Sequence, residues 1–346
     1  MTLAADLAPA ADTMGTLVAS ATSRLEAAGI DTARLDAEVL LAEACGSDRT
    51  ALYAAWRRTV PDDCRVRFDV LLTRRLTREP LQYIVGRQEF WSLDFAVSPA
   101  VLIPRPESEL LVELALRALA SSSFPRKRES IPAGGTPPPS RMPICAGMTR
   151  LDAAVDGQEP PFVGGVSTPV PSPGEEGARN LLLCDLGTGS GCLAVALAHE
   201  LPRATVWALD LSPAALAVAA ANARRHHVAE RIHLVHSDLF AAAGDLRFDA
   251  LVSNPPYIRS DGWRRLQPEL AWEPAQALYG GTSGLTVIER VLEEAPGRLR
   301  PGGWLIMEID DSQGPAVERR AHMAGFSAVS VVPDYTGRPR ALLARR

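Results

Sequence analysis

A chain of 346 residues exceeds one core of ordinary size, so one large and one small domain are expected. Apolar residues make up 47% and charged residues 22%, which excludes a disordered chain. A net charge of −5 and a pI near 5.8 exclude the broad positive field of proteins that hold long nucleic acids, so no stable nucleic acid partner is expected.

The first basic residue is Arg24, and Asp6 and Asp12 interrupt the apolar N-terminus, so a secretory signal is not expected. Nowhere is there a run of about 18 apolar residues, which argues against a membrane span. Cys45, Cys64, Cys145, Cys184 and Cys192 form no CxxC pair and no zinc-spaced Cys/His cluster, so reduced thiols, no metal and a cytoplasmic location are expected.

Residues 1–86 read as a small helical domain. Leu35, Val39 and Ala42 recur at helical spacing behind Asp31, a capping residue type, and Gly46 follows Cys45 as a stop. Residues 66–76 repeat the pattern. Such a bundle either stabilises its neighbour or offers a docking surface to a macromolecular substrate.

After Gly86 the period changes to two. Trp91, Leu93, Phe95 and Val97 alternate with Ser92, Asp94 and Ala96, as on a half-buried strand or hairpin. Pro104, Pro106 and Glu107 suit a helix start and precede an apolar helix over 110–119, so 87–120 is a linker of hairpin and helix. Residues 121–180 hold 11 of the chain's 28 prolines together with Gly134, Gly135, Gly164 and Gly165, without apolar periodicity. A disordered insertion looping out from the surface is expected. Its pieces FPRKRESI and CAGMT resemble a translated genomic repeat element, and Arg126, Lys127 and Arg128 read as solvated charge.

Over 181–346 strand-like runs (LLLCDLG, TVWALDL, IHLVHSDL, FDALVSNPPY, GGWLIMEI) alternate with helical ones (CLAVALAHEL, AALAVAAANARRH and a helix around 287–294). The expected fold class is α/β, with a mostly parallel sheet between helices.

The first strand runs into Asp185-Leu186-Gly187-Thr188-Gly189-Ser190-Gly191 directly before a helix. Alternate glycines let the backbone turn tightly and approach a ligand, and helix-start amides supply donors. The GxGxG spacing differs from the usual dinucleotide GxGxxG, although a nucleotide-binding Rossmann enzyme also uses a glycine-rich first turn. The second strand ends at Asp210, a carboxylate able to accept both hydroxyls of a ribose, or otherwise a helix cap before Ser212-Pro213. The third ends at Asp238-Leu239, a polar edge and apolar wall for an adenine.

The fourth strand leads into Asn254-Pro255-Pro256-Tyr257. Two prolines end the ladder and hold the backbone extended. An amide nitrogen is a poor nucleophile while its lone pair is delocalised into the carbonyl. The Asn254 side-chain oxygen and the Pro255 carbonyl can each accept one N–H, leaving the lone pair to face a methyl donor. Tyr257 can pack its ring on the planar group. No general base is evident.

With LIPRPESE, DLGTGSG, ALDLSPAAL, NPPY, EPAQAL-GG-GL and PGGWLIMEI in order, the chain resembles the bacterial peptide chain release factor N5-glutamine methyltransferases, over nearly everything except 121–180. The resemblance implies a Rossmann-like class I methyltransferase domain behind a helical substrate-docking domain. It implies S-adenosylmethionine as cofactor, held by residues 187–191, Asp210, Leu239 and Asn254. It also implies class I release factors as protein substrate, with the glutamine of a Gly-Gly-Gln loop at residues 254–257. NPPY is shared with N6-adenine methyltransferases, which act on a similarly planar NH2 and are the alternative. A non-catalytic protein that retains only the cofactor or partner site is a third reading. A monomer is expected. Arg105 and Glu273-Pro274 either shape the substrate groove or form a structural ion pair. Ser108 stands where the family commonly has Thr, and Asp310 where it usually has Gly.

Overall fold

The computed structural model describes residues 12–122, 180–263 and 266–346. Asn180 apart, these belong to one compact unit. Helix α1 (Met14–Ala27) opens with a capping box, in which Thr13 and Thr16 exchange hydrogen bonds between backbone and side chain. It buries Leu17, Val18, Ala21 and Leu25 against α2 (Ala33–Ala44). Thr32, not Asp31, precedes α2, and its buried face is Ala33, Ala37, Leu40, Leu41 and Ala44. The expected stripe fails at Leu35, which is 42% exposed, because small alanines form the close helix contact instead. After α3 (Arg49–Ala54), α4 (Asp62–Leu76) packs on α2 through Cys64, Phe68 and Leu72, while Val66 and Val70 face solvent. Helix α5 (Leu81–Val85) stops at Gly86, whose left-handed φ of 74° ends the helix.

The linker is a hairpin of β1 (Arg87–Phe90) and β2 (Leu93–Ala96), with Phe90 paired to Leu93. Trp91 thus lies in the two-residue turn rather than on a strand. Both turn residues have positive φ, 55° at Trp91 and 58° at Ser92, the twist that a tight hairpin requires. A single 3-10 turn (Pro106–Ser108) then leads into α6 (Glu109–Ser122). The expected disordered insertion lies, from residue 123 to 179, outside the described residues.

Beyond it come β3 (Leu181–Leu186), α7 (Cys192–Glu200), β4 (Ala204–Asp210), α8 (Pro213–Arg225), β5 (Ile232–His236), β6 (Phe248–Ser253), α9 (Ala275–Leu278), α10 (Thr286–Arg298), β7 (Leu299–Glu308), α11 (Gly314–Met323), β8 (Ala328–Pro333) and β9 (Pro339–Arg345). The sheet order is β5-β4-β3-β6-β7-β9-β8, parallel as far as β7 and antiparallel at β9 and β8. The sequence reading places no element after the strand ending near residue 309, so this antiparallel margin is an addition to it. Successive strand residues serve opposite faces. Leu183, Val206, Ala208, Ala250 and Val252 pack with α6, α7 and the hairpin's Phe90 and Phe95. Cys184, Leu186, Leu209, Leu251 and Leu305 pack with α10 and α11. Burial on both faces explains the unbroken apolar runs in these strands.

Candidate active site

Strand register brings the chemical residues to one sheet edge. Leu186 pairs with Leu209 on one side and Ser253 on the other, and Asp210 pairs with His236. Ser253 Oγ donates to the Leu186 carbonyl at 2.8 Å, so the glycine loop and the Asn254 motif leave the sheet from adjoining points. Such a crevice at the carboxyl ends of parallel strands is where open α/β sheets hold ligands.

Gly187, Gly189 and Gly191 all have positive φ, at 70°, 55° and 80°, which accounts for glycine at alternate positions. The loop hangs from β4. Gly187 N and Thr188 N donate to the Leu209 carbonyl at 2.8 and 3.0 Å. Gly189 N and Ser212 N donate to the two carboxylate oxygens of Asp210, each at 2.8 Å. Each oxygen keeps a further lone pair for a ribose hydroxyl. With the Gly189 amide engaged by a carboxylate, this loop is not a phosphate cradle.

Beneath it Asp185 is fully buried. Its Oδ2 accepts from Thr188 Oγ1 at 2.7 Å and from Ala194 N at 3.2 Å, while Oδ1 has no hydrogen-bond partner among the described residues. Burial raises this carboxyl to about 7, with Asp210 pushing the same way against the Thr188 and Ala194 hydrogen bonds. The Asp210 carboxylate in the cleft suits a cofactor with a ribose and positive charge, and opposes a pyrophosphate. The residues present therefore fit S-adenosylmethionine. Thr188 and Ser190 are buried and brace the loop, and the Ser190 carbonyl accepts from Asn222 Nδ2 at 2.8 Å. Asp238 lines the same cleft but pairs with Arg290 at 3.0 Å, and Leu239 supplies part of the apolar wall from a left-handed φ of 45°.

Asn254, Pro255 and Pro256 line the same cleft as the glycine loop. A second cavity of about 610 Å³ lies on the far side of Asn254, lined by Tyr257, Arg105 and Glu273 of the sheet region and by Leu35, Arg75 and Gln82 of the helical region. Asn254, Leu102, Arg105 and Ala277 line both, so Asn254 stands at the border between cleft and cavity. Asn254 Nδ2 donates to Ser108 Oγ at 3.0 Å, and Oδ1 and the Pro255 carbonyl have no hydrogen-bond partner among the described residues.

Ser108 Oγ in turn donates to Glu308 Oε2 at 2.5 Å, and Tyr257 OH donates to Glu308 Oε1 at 3.1 Å. Burial raises the Glu308 carboxyl above the usual carboxylate range, against the pull of both hydroxyl donors and of Arg340. Burial likewise pushes the Tyr257 phenol far up, keeping it a donor. The Tyr257 hydroxyl is thus anchored to Glu308. Arg105 pairs with Glu273, which also accepts from Ile103 N at 3.2 Å; both line the larger cavity, and Arg105 the cleft as well.

Sequence reasoning missed Glu308, Asn222 and Gln313. Asn222 is fully buried and ties α8 to β2 through Ala96, as well as to the glycine loop. Gln313 Nε2 donates to the Gly284 carbonyl at 3.0 Å, behind Tyr257. Glu308 lies in the PGGWLIMEI run already singled out, which was a signal without a role.

A family model described as the PrmC N-terminal domain matches residues 16–86, and one described as a methyltransferase small domain matches 176–273. A release factor glutamine methyltransferase of Moorella thermoacetica is 38% identical over 335 residues, covering 96% of this chain and 99% of that protein. One from Cereibacter sphaeroides is 38% identical, covering 94% and 96%, and one from Escherichia coli is 34% identical with the same coverage.

Proposed function

The chain belongs to the release factor glutamine methyltransferase family, and we propose from that premise that it methylates N5 of the glutamine in the Gly-Gly-Gln motif of class I peptide release factors. The observation that carries this reading is Asn254 Oδ1 and the Pro255 carbonyl, both unengaged, with Asn254 at the border of the cofactor cleft and the 610 Å³ cavity.

S-adenosylmethionine, when bound, supplies an electrophilic methyl group. Residues 187–191 of the loop cradle it, Asp210 accepts the ribose hydroxyls, and Asp238 and Leu239 line the adenine end. Asn254 Oδ1 and the Pro255 carbonyl each accept one N–H of the substrate amide, which orients the nitrogen lone pair toward the cleft. Pro255 and Pro256 keep those acceptors fixed. Tyr257 forms the wall beside the amide plane. The nitrogen exchanges one hydrogen for the methyl group and releases it as a proton, so positioning carries more of the rate than base strength.

Residues 1–86 form the domain that docks the release factor, 87–120 the linker, and 181–346 the catalytic domain. The enzyme is proposed to act as a monomer. No helix among the described residues is long and apolar enough to cross a membrane. The protein substrate puts its action in the cytoplasm.

Mass spectrometry of a purified release factor after incubation with the enzyme and cofactor is expected to show one added methyl on the Gly-Gly-Gln glutamine. Methylated adenine in parallel DNA, with the release factor unchanged, would replace this substrate by the alternative that shares NPPY.

A further inference from the structure

A primary amide can sit either way round in its plane, and only one way presents the Asn254 oxygen to a substrate N–H. The orientation follows from the groups behind it. Ionised, Glu308 can only accept, so Ser108 commits its single hydroxyl hydrogen to the 2.5 Å bond to Glu308 Oε2. Its oxygen is left to accept, so it meets Nδ2 of Asn254 at 3.0 Å. If Asn254 were turned over, Oδ1 would face the Ser108 lone pairs and nothing would be donated. Glu308 is only 1% exposed and Ser108 2%, so solvent does not compete for the bond between them. Tyr257 holds the other carboxylate oxygen at 3.1 Å and thereby keeps the carboxylate from rotating.

We propose that Glu308, acting through Ser108, is a positioning residue that sets the Asn254 amide with Oδ1 toward the acceptor nitrogen. The inference rests on the amide-methylation reading above. It assigns the hydroxyl of LIPRPESE and the glutamate of PGGWLIMEI to one relay, although they are 200 residues apart. A threonine supplies the same hydroxyl, so the exchange of Thr for Ser at this position leaves the relay intact.

The test is steady-state kinetics on a release factor with Ser108→Ala, Ser108→Thr, Glu308→Gln and the Ser108→Ala/Glu308→Gln double variant, each checked by thermal melting and cofactor titration. Ser108→Ala is expected to lower kcat about tenfold or more with both KM values within about threefold of wild type. Ser108→Thr should stay within about threefold in kcat, and the double variant should be no slower than the slower single, as members of one chain behave. A Ser108→Ala enzyme with wild-type kcat, or losses that multiply in the double variant, would overturn the relay. Should Glu308→Gln fail to fold, the Ser108 pair decides alone by the rescue with threonine. Wild type assayed alongside separates this inference from its premise. Glutamine methylation by wild type with an unaffected Ser108→Ala sinks the relay only, whereas methylation of adenine sinks the substrate reading and leaves the same kcat comparison to decide the relay.

Discussion

Two side-chain positions near the reacting centre make separate demands on the backbone and on proton binding. A Cβ at Gly280 would stand 2.7 Å from the carbonyl oxygens of Gly284 and Pro256 and 2.8 Å from Tyr257 Cα. These are backbone atoms on both sides, so Gly280→Ala must push residues 256–257 away from the acceptor position. A displacement of that kind lowers kcat by about ten- to a hundredfold while cofactor affinity, set by the separate glycine loop, holds. Kinetics with a parallel cofactor titration checks this, and an unchanged kcat would show that the segment yields freely. Asp185 makes the second demand. Its folded carboxyl titrates at about 7 because of burial, above its value in the unfolded chain, so the folded state binds the proton more tightly. That contribution to stability is complete below about pH 4 and is lost as pH rises through about 7. Asp185→Asn, which imitates the protonated form, should flatten the fall in denaturation midpoint between those limits. Parallel slopes for variant and wild type would count against the assignment.

Elements with one unambiguous period were legible from sequence, and those built on small or isolated residues were not. The runs at β3, β4, β6 and β7 announced themselves because both faces are buried, whereas β5, at the sheet edge, buries only Ile232 fully. The face of α2 did not, because Ala33, Ala37 and Ala44 share it with Leu40 and Leu41 while Leu35 turns to the 610 Å³ cavity. Nor could spacing reveal that α4 reaches the catalytic region. Arg75 of α4, buried at 5% exposure, donates to Asp36 of α2 at 2.7 Å and to Glu269 at 3.0 Å, and Arg78 donates to Glu269 at 2.8 Å. Burial pulls the Glu269 carboxyl up, yet the hydrogen bonds from Arg78 and Arg75 outweigh it and hold the group below its ordinary range. Partners 194 residues apart leave no periodic trace. Glu269→Ala removes this clamp between helical region and cavity wall, with an expected loss of about 1–3 kcal/mol. Chemical denaturation measures the loss, and KM for the release factor should rise more than kcat falls. A higher kcat loss than KM change would place Glu269 in the chemistry instead.

At the scale of the whole molecule, the residues proposed to hold the cofactor could be picked out from sequence because they lie at strand ends in one run of sequence order. The acceptor half was legible only at residues 254–257, since Ser108, Glu308, Gly280 and Gln313 converge on it from four distant segments. The same convergence bears on the Pro/Gly-rich stretch. Among the described residues both cavities are lined only by positions up to 108 and from 186 onward, and the compact unit that holds them joins residues 1–124 to 181–346. Replacing 124–178 by a short flexible linker therefore removes no wall of either cavity. Lengthening or shortening a closed loop changes its entropy slowly, by about 0.6 kcal/mol per doubling, so the fold should tolerate the exchange. The shortened enzyme is expected to keep kcat and both KM values within about twofold. Kinetics on a release factor beside a thermal melt reads the outcome. A folded but inactive product would mean that the stretch takes part in docking the substrate, and an unfolded one that the loop closing α6 onto β3 needs more length than the linker provides.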